Sequence, residues 1–220
     1  MRRYFDRNTC ELCTINSIVM TTITQHPPLI QPLSYTQYRQ HVTELAAEGK
    51  VTGHQQSESL LNYTNLNIKR MDRWDKTIVL QDEVTAAIEK QQQTTLWVVL
   101  SQGWCGDCAQ IVPVFGKIAA ISNGKINLQI INSDDNPEWL DRYSVNGIRS
   151  VPKLIVINPA NGETLAVWGA RPQGAQNILK KWKSTPDMTR DQFELELHTW
   201  YAKDKTHQIQ QELAALPIWI

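Results

Sequence analysis

The sequence contains no apolar run long enough to cross a bilayer as a helix, which argues against an integral helical membrane protein. It also lacks an excess of charge of either sign, since 22 lysines and arginines balance 22 aspartates and glutamates. No broad electrostatic field then favours nucleic acid or an anionic membrane, so the expected partners are proteins or small thiols. Internal repeats and low-complexity tracts are absent. After Met1, Arg2 and Arg3 come Asp6, Arg7, Asn8, Glu11 and Asn16, which leave no apolar core for a secretory signal; Met20 offers an alternative start. The expected location is cytoplasmic, where thiols are kept reduced.

Cysteine is scarce, with four residues in the chain, and two of them close the stretch Trp104-Cys105-Gly106-Asp107-Cys108. The preceding run, Leu96-Trp97-Val98-Val99-Leu100, is short, apolar and β-prone, and reads as a buried strand. Gly103 interrupts it. From Asp107 onward Ile111, Val112, Phe115, Ile118 and Ile121 recur at helical intervals until Asn123-Gly124 supplies a stop. The two thiols therefore fall in the first turn of a helix, where residues three apart lie roughly 5 to 6 Å from each other, within disulfide reach. Unpaired amides and the positive end of the helix favour a thiolate at Cys105. Cys105 is accordingly read as the attacking nucleophile, and Cys108, one turn in and more shielded, as the resolving thiol.

Zinc is a competing use for such a pair, and Cys10-Glu11-Leu12-Cys13 supplies a second pair. The long separation between the pairs, and the strand-to-helix setting of the second, argue against a shared site. Cys10 and Cys13 are read as incidental, with a redox relay as the remaining alternative. The histidines His26, His41, His54, His198 and His207 all lie outside the dithiol segment, so no histidine-assisted cysteine hydrolase is indicated.

At 220 residues the chain is long for one minimal domain and short for two. Residues 1–33 show no sustained period and read as a flexible leader. Ser34 caps a helix that stops at Gly49, and a second helix is expected over 57–74. Strands are then expected at 77–80, 96–101, 126–131, 154–157 and 164–167. Helices are expected at 82–91, 107–121 and 137–143, from Pro172 through Trp182, and as one last helix over 189–216.

In order along the chain, these segments resemble thioredoxins. Members of that family carry Trp-Cys-Gly-Pro-Cys, a helix proline after the second cysteine, and a distant cis-proline facing the dithiol. Here Pro113 follows Cys108, and Asp135-Asn136-Pro137, Gly147-Ile148-Arg149-Ser150-Val151-Pro152, Asn161-Gly162-Glu163 and Trp168-Gly169-Ala170 match later family segments. The resemblance covers residues 77–184 and is more specific than a lone Cys-x-x-Cys. The Trp-Cys-Gly-Asp core is most similar to a bacterial thioredoxin-like group in which many members lack the second cysteine; Cys108 is retained here, which favours redox activity.

The resemblance implies an α/β thioredoxin-like fold, a central mixed β-sheet flanked by helices. Helical extensions at 34–76 and 185–220 would surround a domain at 77–184. It also implies a thiol-disulfide oxidoreductase that reduces or exchanges protein disulfides, with a separate reductant or reductase, no cofactor and no metal. A cis bond before Pro152 would expose the Val151 backbone to an extended substrate strand. Trp104 would form an apolar lip beside the nucleophile, although any of the eight tryptophans is more often core.

Two departures from the family bear on the chemistry. Asp107 replaces the motif proline, and a negative charge between the thiols, next to Gly106, is expected to oppose thiolate formation and make the couple more reducing. Val99 stands where thioredoxins have a buried aspartate that relays protons, so the proton of Cys108 must leave through water or Asp107. The rival function is a thioredoxin-fold protein-binding module with a vestigial dithiol.

Overall fold

A computed structural model describes residues 25–219. Its sheet forms from the apolar and β-branched runs as β1 (Thr95–Ser101), β2 (Ile126–Asn132), β3 (Lys153–Ile157) and β4 (Thr164–Gly169). The strand order is β2-β1-β3-β4, with β1 parallel to β2 and antiparallel to β3, and β4 antiparallel to β3. Every residue of β1 is buried, because both faces of the sheet are covered. Trp97 and Val99 enter the larger core with Phe115 and Leu154. Leu96, Val98 and Leu100 point the other way, onto Trp139 and Ile155.

Among the described residues, three helices precede the sheet: α1 (Tyr35–Ala47), α2 (Glu58–Thr77) and α3 (Asp82–Lys90). α4 (Gly106–Ile121) carries the chain from β1 to β2, and the short α5 (Pro137–Arg142) follows β2. α6 (Gln173–Ser184), α7 (Arg190–Asp204) and α8 (His207–Ala214) close the chain. Ser34 and Thr189 each start their helix with a capping box, completed by Gln37 and Gln192. This mixed sheet flanked by helices is the α/β arrangement expected of a thioredoxin-like fold. No helix among the described residues is long and apolar enough to cross a membrane.

Three segments differ from the sequence reading. The strand expected at 77–80 does not form, because α2 runs on through Thr77 and the backbone beyond it is satisfied by a side chain. Gln210 of α8 donates to the Val79 carbonyl at 3.1 Å and accepts from the Gln81 amide at 2.8 Å. The outer edge of β2 is met instead by Leu33, which exchanges two backbone hydrogen bonds with Ile130 at 2.9 and 2.7 Å. The single helix expected over 189–216 is broken where Lys205 and Thr206 adopt φ of 51° and 67°, the left-handed region.

Residues 25–33, read as the end of a leader, are held against the second face of the sheet. The buried Trp139 requires a partner for its indole N–H and donates to the Pro27 carbonyl at 3.0 Å, while the His26 ring stacks on it at 5.2 Å. Ile30 donates its amide to Asn136 at 2.8 Å. Cys10, Cys13, Met20 and the rest of the expected leader lie outside the described residues.

Candidate active site

The turn after β1 is clamped from both sides. The Gly103 amide donates to the Thr52 hydroxyl at 2.8 Å, and Asn67 of α2 donates to the Gly103 carbonyl at 2.9 Å. Trp104, Cys105 and Gly106 follow as a half-buried rim. Cys105 is the N-cap of α4 with extended backbone, and its side chain makes no capping bond, which leaves the sulfur free. Its thiol is directed at the Val151 carbonyl, 3.6 Å away. The Val151–Pro152 peptide is cis. A side chain on Gly169 would lie 2.4 Å from the Pro152 carbonyl oxygen, so glycine permits β4 to close against this segment.

Cys108 lies one turn further along and is fully buried. Burial and then the neighbouring Cys105 push its thiol well above the ordinary value, while the Ser101 hydroxyl and the Gln102 backbone pull partly back. Both cysteines are free thiols. The sequence-named residues Trp104, Cys105, Gly106, Asp107, Cys108, Val151 and Pro152 are thus gathered at one end of the sheet, though their side chains face different surroundings.

Asp107 departs from its expected setting. Its carboxylate does not lie open between the thiols but is buried, paired to the Arg171 guanidinium at 2.5 Å and accepting from the Tyr201 hydroxyl at 2.8 Å. The charge expected to oppose a thiolate is therefore matched by a cation from the β4–α6 loop. Burial still raises the Asp107 carboxyl above the usual range, against the pull of Arg171 and Tyr201. Val99 is wholly buried among apolar neighbours and carries no proton.

Several site residues gave no signal in the sequence. His198 of α7 covers Gly106, where an added Cβ would lie 2.9 Å from its ring. Gln110 of α4 donates to His198 Nδ1 at 3.3 Å and accepts from the Trp74 indole at 2.6 Å. Burial, and then the Arg70 charge, lower His198 to about 4, so its ring is neutral and able to accept. These links join α2 and α7 to the first turn of α4, and no local pattern announces contacts between segments so far apart in the chain. Among the described residues, no group of three or more His, Cys, Asp or Glu side chains is placed to hold a metal ion.

A family model described as Thioredoxin matches residues 53–183. Thioredoxin 1 of Nostoc sp. is 37% identical over 70 residues, covering 32% of this chain and 62% of that protein. The chloroplastic thioredoxin M-type of Zea mays is 32% identical over 105 residues, covering 44% of this chain and 60% of that protein. The chain thus spans less than two thirds of the length of either relative. Among solved structures, a protein of unknown function from Pseudomonas aeruginosa shares the fold at a TM-score of 0.54 and 14% identity, covering 84% of this chain and 96% of that one.

Proposed function

The chain belongs to the thioredoxin family, and from that premise we propose that it is a thiol-disulfide oxidoreductase that reduces or exchanges protein disulfides through Cys105 and Cys108. The observation that carries this reading is the division of labour between the sulfurs. Cys105 sits half-exposed at a helix N-cap facing the Val151 carbonyl, while Cys108 is shielded one turn behind it.

In this reading a disulfide-bearing chain docks along Val151 and Pro152, with Trp104 as an apolar lip. Cys105, reacting as its thiolate, attacks one substrate sulfur. The substrate disulfide breaks, one substrate thiolate leaves and takes a proton from water, and a mixed disulfide joins Cys105 to the other sulfur. Cys108 then loses its proton and attacks Cys105. The second substrate thiol leaves, and the protein is left with a Cys105–Cys108 disulfide. A reductant or reductase returns two electrons to restore the dithiol. No metal or organic cofactor enters these steps. Residues 77–184 carry the chemistry, the helical segments at 34–76 and 185–220 hold it in place, and the protein works in the cytoplasm, where thiols are kept reduced.

Insulin reduction driven by dithiothreitol tests the reading. Activity is expected in the parent chain and lost in Cys105→Ser, while Cys108→Ser accumulates a mixed disulfide with its substrate. No activity in either the parent or Cys105→Ser would overturn the assignment and leave a protein-binding module.

A further inference from the structure

Resolution of the mixed disulfide requires Cys108 to release a proton from a position with no solvent exposure. The two carriers suggested by the sequence are poorly placed. Val99 has no titratable group, and both carboxylate oxygens of Asp107 are engaged by Arg171 and Tyr201.

We propose that Ser101 and Tyr38 form the proton path of Cys108, with Ser101 taking the proton from the reacting sulfur and Tyr38 passing it on to a small cavity. This inference rests on the dithiol reading above.

Ser101 ends β1, and its hydroxyl acts on the buried Cys108 thiol, pulling it down against the effect of burial. Its Oγ lies 2.9 Å from the Tyr38 hydroxyl, and both side chains are buried. Tyr38 belongs to α1, so the path leaves the thioredoxin-like core through the added helix. Beyond the two hydroxyls is a cavity of about 30 Å³, bounded by Tyr38, Ser101, His41, Thr52, Asn132 and Asp135. A water needs about 10–15 Å³ and two or more polar partners, so the cavity has room for one and the groups to hold it. On its outer side His41 is exposed, and Asp135 is half-buried and bonded to His54 at 2.9 Å.

Each hydroxyl accepts one proton and donates one and so stays neutral, while Cys108 is left as a thiolate and the cavity water takes up the proton and passes it to bulk solvent. The Cys108 S–H proton passes to Ser101 Oγ, the Ser101 proton to Tyr38, and the Tyr38 proton to cavity water. The Cys108 thiolate then forms its bond to Cys105 Sγ as the Cys105–substrate bond breaks and the substrate thiolate departs. When the disulfide is later reduced, the same path returns a proton to Cys108. Burial raises the Tyr38 phenol, which keeps it protonated and fit to relay rather than to store charge.

The test separates the two chemical steps with 5,5′-dithiobis(2-nitrobenzoate) on the full chain carrying Cys10→Ser and Cys13→Ser, so that only the dithiol reacts. Attack by Cys105 releases one yellow thiolate, and resolution by Cys108 releases a second. Tyr38→Phe, which removes a single oxygen atom, and Ser101→Ala are expected to leave the first phase unchanged and slow the second about a hundredfold, the lower end of general acid-base effects. Tyr38→Phe alone suffices if Ser101→Ala does not fold. A second phase within about twofold of the parent overturns the relay and leaves the dithiol reading intact, the margin being far below such effects. Equal slowing of both phases also overturns it, by assigning the hydroxyls a structural role. A parent chain that releases only the first thiolate overturns both readings.

Discussion

The Tyr201 hydroxyl donates to Asp107 Oδ1 at 2.8 Å, joining α7 to the dithiol helix across 94 positions of sequence. The residue that distinguishes this motif from Trp-Cys-Gly-Pro-Cys is thereby the attachment point of the C-terminal extension. Tyr201→Phe, which leaves a buried carboxylate short of a donor, is expected to cost about 1.5–3 kcal/mol. Asp107→Ala strands Arg171 and is expected to cost about 3 kcal/mol, the low end for a broken buried pair, because the Arg171 side chain keeps 20% exposure. Urea unfolding of the two variants beside the parent measures both, and a midpoint for Asp107→Ala unchanged from the parent would count against the pair.

His198 makes stability depend on acidity. Its folded value is about 4 against an ordinary 6.5, so between those limits the unfolded chain binds a proton that the folded chain refuses. Stability is therefore full above pH 6.5 and falls as pH drops toward about 4. His26, also lowered by burial, acts in the same sense, whereas Asp107, raised by burial, acts in the opposite one. Guanidinium midpoints measured along this pH range are expected to fall less steeply in His198→Gln than in the parent, and parallel curves would refute the assignment.

Gly169 has φ of +130°, and an added Cβ would meet the Pro152 carbonyl oxygen at 2.4 Å. Backbone cannot yield there as a side-chain tip would. Gly169→Ala is expected to destabilise by more than about 1 kcal/mol and to lower insulin reduction by shifting Pro152 away from Cys105. Thermal unfolding and turnover, measured together, check it; a variant with parental values for both would show that the segment tolerates the extra atom.

Gln210 does for residues 79–81 what a neighbouring strand would do. Gln210→Ala removes one acceptor and one donor from backbone groups of Val79 and Gln81, and is expected to cost about 1–3 kcal/mol. Hydrogen exchange at the Gln81 amide should rise with it, and unchanged protection would mean that another group takes over.

Legibility followed locality. The start of α4, β1 and the turn at Asn136-Pro137 were readable because an apolar run, a breaking glycine and a helix-starting proline act within a few residues. Residues 78–80 misled because Ile78, Val79 and Leu80 are β-prone while the fold offers them no strand partner. The break at Lys205 and Thr206 was hidden because neither residue type favours the left-handed region. The surroundings of Asp107 could not be read at all. Whether a carboxylate beside a thiol faces water or a guanidinium depends on where Arg171 and Tyr201 arrive, which is a property of packing. Ser101 and Tyr38, 63 positions apart, are joined in the same way.

The two bonds between Leu33 and Ile130 have a further consequence. Among the described residues β2 is the outermost strand on its side, and a bare marginal strand presents a row of unpaired amides and carbonyls that any extended chain can adopt as a template. By occupying that margin, the stretch ahead of α1 guards against self-association into intermolecular sheets, so shortening the chain past Leu33 would tell first on aggregation during refolding and only afterwards on turnover.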